Sequence, residues 1–204
     1  MTRYYLLLGT VAASVATMVA VVIVTDPTPG LHMSAPVTED PYTNDEDLGA
    51  PVESYESESM EYKITYPGTW NFDDSKTTLN GHILTDPSEH VVIIITETEN
   101  EKLLTVEGTK AIADSLQESL KYDSAFTLQS FQEFSWRGHH TLFTEGERLI
   151  GNDMYHVSEY NIVRSDHTSM LNVSITTKKN LEELYEKPIQ QILDSLEVCH
   201  DMLL

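Results

Sequence analysis

Six histidines, His82, His90, His139, His140, His156 and His167, fall in a region of alternating apolar residues, where antiparallel strands could gather them beside the abundant carboxylates. Imidazole and carboxylate together could bind a metal or move protons. A metal needs several ligands converging at about 2.0 to 2.2 Å, and nothing in the spacing imposes that convergence. His139 and His140 point to opposite faces of a regular strand and cannot enter one site together. The single cysteine, Cys199, could serve as a nucleophile, but it follows the apolar run IQQILDSLEV and reads as a residue that fills or flanks the core. The acidic cluster TNDEDLG at 43–49 lacks the spacing of a calcium loop. No nucleophile elbow, zinc-protease helix, phosphate-cradling glycine loop or dinucleotide fingerprint occurs. The sequence therefore assigns no catalytic residue, no cofactor-binding residue and no metal ligand, and it calls for no cofactor. Asn172-Val173-Ser174 has the pattern of a glycosylation acceptor, although it lies in a predicted strand.

Charge narrows the partners. The chain carries 33 Asp and Glu against 12 Lys and Arg, a formal net charge of −21. Nucleic acid and anionic lipid headgroups both need cationic side chains to neutralise phosphate, so nucleic-acid binding is excluded. With one cysteine no intrachain disulfide can form, and the fold must hold by packing alone.

The elements that would position any site begin after residue 60. Residues 4–24, YYLLLGTVAASVATMVAVVIV, contain no charged side chain, and as a helix they would span about 31 Å, the thickness of a bilayer's hydrocarbon core. Small residues that would mark a cleavage site are missing before Asp26-Pro27, so residues 1–25 read as an uncleaved signal anchor or transmembrane helix, the protein being secreted if the segment is cleaved. Arg3 precedes the apolar run and acids follow it, which places the amino terminus in the cytoplasm and the remainder outside the cell membrane. From 26 to 60 the chain has nine Asp or Glu and no Lys or Arg, the composition of a disordered acidic linker. The folded domain is then 61–204, with 24 acids against 11 bases, a net of −13.

Within it, Tyr62, Ile64 and Tyr66 alternate as in a half-buried strand stopped by Pro67-Gly68. TTLNGHILT (77–85) and VVIIITET (91–98) flank the turn DPSEH, and the unbroken apolar run of the second predicts a central strand covered on both faces. The period then changes. Residues 105–122 place Val106, Ile112, Ala113, Leu116 and Leu120 on one helical face, with Thr105 positioned as the cap. Four further strands, 125–136, 139–146, 153–163 and 168–177, are joined by short links. Residues 180–198 close the domain as an amphipathic helix with a bend at Pro188. The order βββ, α, ββββ, α is that of an α+β fold, an antiparallel β-sheet sandwiched by helices.

These residues carry a resemblance. The opening YKITYPGTW with Phe72, the helix beginning near LTVEG, the four-strand meander and the closing PIQQILDSLEV resemble the PsbP-like family, over about residues 60–199. That family shares an α/β/α sandwich between an extrinsic photosystem subunit, a Ran-binding nuclear-transport protein and bacterial and archaeal envelope proteins. The resemblance implies a non-enzymatic, membrane-associated accessory domain, with no catalytic residues to carry over. The anchor, the acidic linker and the acidic surface depart from the photosystem subunit, whose docking uses basic residues. Tyr62, Ile64, Tyr66 and Trp70 are expected to start the sheet and cap the core. The expected function is a membrane-anchored extracytoplasmic domain that binds a protein partner. The alternative is a small-ligand or divalent-cation binding module that uses the acidic surface and the aromatics near Trp70 and Trp136.

Overall fold

The structure, a computed structural model, describes residues 5–6, 21–22, 51–74, 81–99, 105–164 and 169–198. Its main layer is a seven-stranded antiparallel sheet in the order β5-β6-β7-β11-β10-β9-β8, formed by β5 (Asn71–Asp73), β6 (Gly81–Thr85), β7 (Val91–Glu99), β8 (Phe126–Trp136), β9 (His139–Ile150), β10 (Asp153–Val163) and β11 (Ser169–Lys178). A three-stranded sheet, β12-β4-β3, comprises β3 (Val52–Ser57), β4 (Tyr62–Pro67) and β12 (Glu197–Val198). With helix α2 (Glu182–Ser195) it covers one face of the large sheet, called the front here. Helix α1 (Val106–Tyr122) covers the back.

Sequence dictates both layers. In β7 the residues Val91 to Ile95 are all buried, as a strand between β6 and β11 with both faces occupied must be. Ile93 and Ile95 turn forward with Leu171, Val173 and Ile175 of β11, and they meet Tyr62, Ile64, Trp70, Tyr185, Ile192 and Leu196 in the main core. On the back, Ile112, Ala113, Leu116 and Leu120 of α1 pack over Leu142, Val157, Val163 and Met170. Thr105 caps that helix, its side chain accepting from the Gly108 N–H at 2.9 Å, as its spacing predicts. The turn DPSEH is fastened by buried Asp86, whose carboxylate accepts from the backbone N–H groups of Ser88 (2.9 Å) and Val91 (2.6 Å) and from the Tyr185 hydroxyl (2.8 Å). At the opposite end Arg137, in the β8–β9 turn at φ 51, donates to the carbonyls of Leu196 (2.8 Å) and Asp194 (2.5 Å). These two attachments lay α2 diagonally across the front face.

Three boundaries differ from the sequence reading. The fold begins inside the expected 26–60 linker, because β3 pairs with β4 from Val52↔Pro67 to Ser57↔Tyr62. Composition hid it: the acids of VESYES lie on the outside, while Tyr55 packs against the core and Ser57 is buried. The last helix stops at Ser195, and Glu197 and Val198 pair with Lys63 and Tyr62 instead of continuing it. The front layer is thus half sheet and half helix, where helices alone were expected. Pro188 lies inside α2, without ending it. The helix expected over 4–24 is not present as one continuous element, because Tyr5 and Leu6 (β1, Tyr5–Leu6) pair antiparallel with Val22 and Val21 (β2, Val21–Val22). The β-branched valines suit a strand, and residues 7–20 lie outside the described residues. Among the described residues no helix is long and apolar enough to cross a membrane.

Candidate functional site

The front layer is narrower than the sheet beneath it. Its core contacts centre on β6, β7 and β11 and reach Ile162 and Tyr160 of β10 and Trp136 at the end of β8. Other front positions of β8 to β10 include Thr127, Ser130, Gln132 and Phe134 on β8, Phe143, Glu145 and Glu147 on β9, and His156 and Ser158 on β10. Most of them are only half-buried. Across them runs a row of rings: Phe134 and Phe143 lie 6.3 Å apart edge to face, and Phe143 and Tyr160 lie 4.8 Å apart. Burial, with a contribution from the Glu145 charge, raises the Tyr160 pKa, so its hydroxyl stays a hydrogen-bond donor. Below the row lie the polar groups. Lys179 donates to Glu147 at 2.7 Å, and this bond holds the Glu147 carboxyl below its ordinary pKa.

The backbone is shaped for this face. β8 bulges between Leu128 and Ser130, opposite Gly146 and Glu145. A Cβ on Gly146 would lie 2.4 Å from the Thr127 carbonyl oxygen and 2.5 Å from the Phe126 ring, so only glycine lets the strands approach here.

One constellation resembles a catalytic set. Ser158 Oγ lies 3.2 Å from His156 Nε2, and Glu145 Oε1 lies 3.3 Å from the same nitrogen. A proton relay needs the hydroxyl on one ring nitrogen and the carboxylate on the other. Here both compete for Nε2, and the three residues sit in mid-strand where the backbone N–H groups serve the sheet. The arrangement is a surface hydrogen-bond cluster.

The other histidines are dispersed. His82 is fully buried, with the Tyr62 hydroxyl at Nδ1 and the Tyr55 hydroxyl 3.3 Å from Nε2. Desolvation is the largest cause raising the Tyr62 pKa. Rings of Tyr55, Phe72 and Tyr66 pack around this pair, Tyr55 to Phe72 at 4.3 Å and Tyr66 to Phe72 at 5.3 Å. His90 reaches the Tyr185 hydroxyl at 3.3 Å. His139 and His140 face opposite sides, as β geometry requires; His139 is buried, and His140 lies 3.7 Å from Glu133. Among the described residues no three His, Cys, Asp or Glu side chains gather to hold a metal ion. His167, Cys199 and the acidic cluster 43–49 lie outside the described residues.

Trp70 is core, as expected, packed edge to face on Tyr185 at 6.5 Å, and it offers no platform to a ligand. Trp136 is half-buried beneath the Arg137 guanidinium, 4.9 Å from its ring centroid. Asn172 sits in an interior strand and donates to Thr98 Oγ1 at 2.8 Å. Sequence reasoning missed the aromatic row, since Phe134, Phe143 and Tyr160 read as ordinary core positions until register and layer width are known.

No family model matches the chain, and no curated protein matches it in sequence. Solved structures do match its fold. Cyanobacterial PsbP (CyanoP) from Synechocystis superposes with a TM-score of 0.55 at 13% identity, over 78% of this chain and 99% of that one. LpqN of Mycobacterium tuberculosis, involved in cell envelope biogenesis, gives 0.51 at 10% identity, over 74% and 87%. The Ran-binding protein Mog1p of Saccharomyces cerevisiae gives 0.48 at 11% identity, over 74% and 97%. At such identities the likeness is one of architecture, and the domain of this chain has the PsbP-like fold.

Proposed function

We propose that this chain is a non-catalytic interaction domain, held at the outer side of a cell membrane by its amino-terminal segment, that docks a protein partner on the open half of its front face. The observation that carries the reading is the half-exposed row Phe134, Phe143 and Tyr160 beside α2. Aromatic side chains on an uncovered sheet face are the usual anchors of a protein interface. Anchoring rests on the uncharged run 4–24. Fold likeness to LpqN, a protein involved in cell envelope biogenesis, supports an extracytoplasmic accessory role. The competition of Ser158 and Glu145 for one imidazole nitrogen supports the non-catalytic assignment.

The test is capture of partners from the protein's own membranes with the full chain and with a shortened chain beginning at Pro51, which keeps β3. A stoichiometric partner held by both, and lost on Phe143→Ser while unfolding stays cooperative and stability falls by only about 1 kcal/mol, is the expected result. Capture that survives loss of the aromatic row moves the interface elsewhere. Absence of any partner from both chains sinks the reading.

A further inference from the structure

Among the described residues, β8 is an outermost strand of the large sheet, paired with β9 on one side and with nothing on the other. Natural sheets blunt such edges with lysine, proline, inward charge or a β-bulge. In its eleven residues, FTLQSFQEFSW, β8 has neither lysine nor proline, and its one charged side chain is Glu133. Its bulge between Leu128 and Ser130 confines a regular ladder to residues 130–136. Beyond the bulge, residues 130–136 carry no such device, and this stretch of edge next to the aromatic row is a template for strand addition.

Charge decides the occupant. A second copy would bring another chain of net −21 against this one, and like charges across an interface are strongly unfavourable. Two carboxylates flank the edge with only a histidine as their cationic neighbour among the described residues. On the back, Glu133 lies 3.7 Å from His140; on the front, Glu145 lies 3.3 Å from His156. Ser130 stands directly across from Glu145 and is small. Strands are spaced at about 4.8 Å, so a residue added opposite Ser130 starts about 10 Å from the β9 backbone, a gap that the combined stems of a lysine and a glutamate close.

We infer that β8 takes up, as an additional strand, an extended basic segment of the partner protein. It reads an apolar residue beside Phe134 and two basic residues, three apart, opposite Glu133 and Ser130. The inference rests on the interaction reading above and names the chemistry of its partner. An odd spacing is required because Glu133 and Ser130 point to opposite faces.

The experiment uses the full chain in detergent micelles and a blocked peptide of sequence Thr-Val-Lys-Thr-Thr-Lys-Thr, read by amide hydrogen exchange. The expected result is protection of alternate β8 amides within 130–136 by about tenfold or more at saturating peptide, with affinity falling as salt is raised. Peptides with Glu for both Lys, or Pro for the central Thr, give no protection. Gln132→Lys, at an exposed position, abolishes the effect while thermal unfolding is unchanged. Peptide protection confined to α2 or to the front of β9 and β10 overturns the edge proposal and leaves the docking face standing. Protection of β8 at doubled mass without peptide assigns the edge to a second copy and overturns it too. No protection anywhere, while partner capture from membranes succeeds, removes the basic-strand occupant alone.

Discussion

The two halves of the front face are built from the same kinds of residue and end in different states. In the covered half, Tyr62, Trp70, Phe72 and Tyr185 close on one another and on Ile93, Ile95 and Val173, and their polar tips find partners in His82, His90 and Asp86. In the open half, Phe134 and Phe143 continue the row from Tyr160, which borders the main core, and among the described residues no layer covers these two rings. The difference lies in width: a three-stranded sheet and one diagonal helix cannot roof seven strands. Aromatic content alone therefore does not mark a core. Whether a ring stabilises the fold or waits for a partner depends on what the topology lays over it.

Substitutions separate the halves by size of effect. Trp70→Ala, in the covered half, should cost about 3–5 kcal/mol in chemical denaturation. A cost near that of an exposed residue would show that the front layer is not a true core. Asp86→Ala leaves two backbone N–H groups and the buried Tyr185 hydroxyl without their acceptor, and should lower stability by about 2–3 kcal/mol. Gly146→Ala forces a methyl group against the Thr127 carbonyl; about 1–3 kcal/mol is expected, together with altered chemical shifts along the β8 bulge. Phe143→Ala should cost only about 1 kcal/mol, because its ring is only partly buried. Were it to match Trp70→Ala, the open half would have to be sealed.

The smallest effect is in pH. Burial lifts the Glu159 carboxyl above its ordinary value of 4.5, with Arg148 opposing. The folded chain then keeps a proton that the unfolded chain has released, so stability should fall as pH rises from about 4.5 through the raised value. Glu159 lies across from Thr144, whose buried hydroxyl lacks a hydrogen-bond partner among the described residues. Glu159→Gln should flatten that part of the stability curve, and an unchanged slope would deny the effect. Glu147, held low by Lys179, works in the opposite sense and loses its contribution as pH falls below its ordinary value.

Much of the fold was legible because its signals are local. The alternation of Tyr62, Ile64 and Tyr66, the apolar run 91–95 and the Thr105 cap each depend on neighbours a few residues away. β3 was not, since the acids of VESYES outweigh the alternation that seats Tyr55, and composition registers charge before period. β12 was not, because two residues carry no period. The site was hidden for a different reason. Phe134, Phe143 and Tyr160 become neighbours only through the pairings Gln132↔Phe143 and Phe143↔Tyr160, and become accessible only because α2 is pinned at Arg137 and Asp86. The one local hint was in β8 itself, whose rings at 126, 131, 134 and 136 cannot all share one face of a strand.

β3 and β12 flank the same strand, so the described stretch that runs from residue 51 to residue 198 starts and finishes in the small sheet. Tension applied through the amino-terminal segment enters at Pro51, whose carbonyl accepts from the Gly68 N–H at 2.7 Å, and loads the β3–β4 ladder and the Tyr55 contact with His82 first. Within the seven-stranded sheet that path touches β6 through His82, far from β8 at the opposite edge. A pull applied at Pro51 would peel β3 from β4 before it disturbed β8 and the aromatic row, so the small sheet would act as a mechanical fuse for the large one.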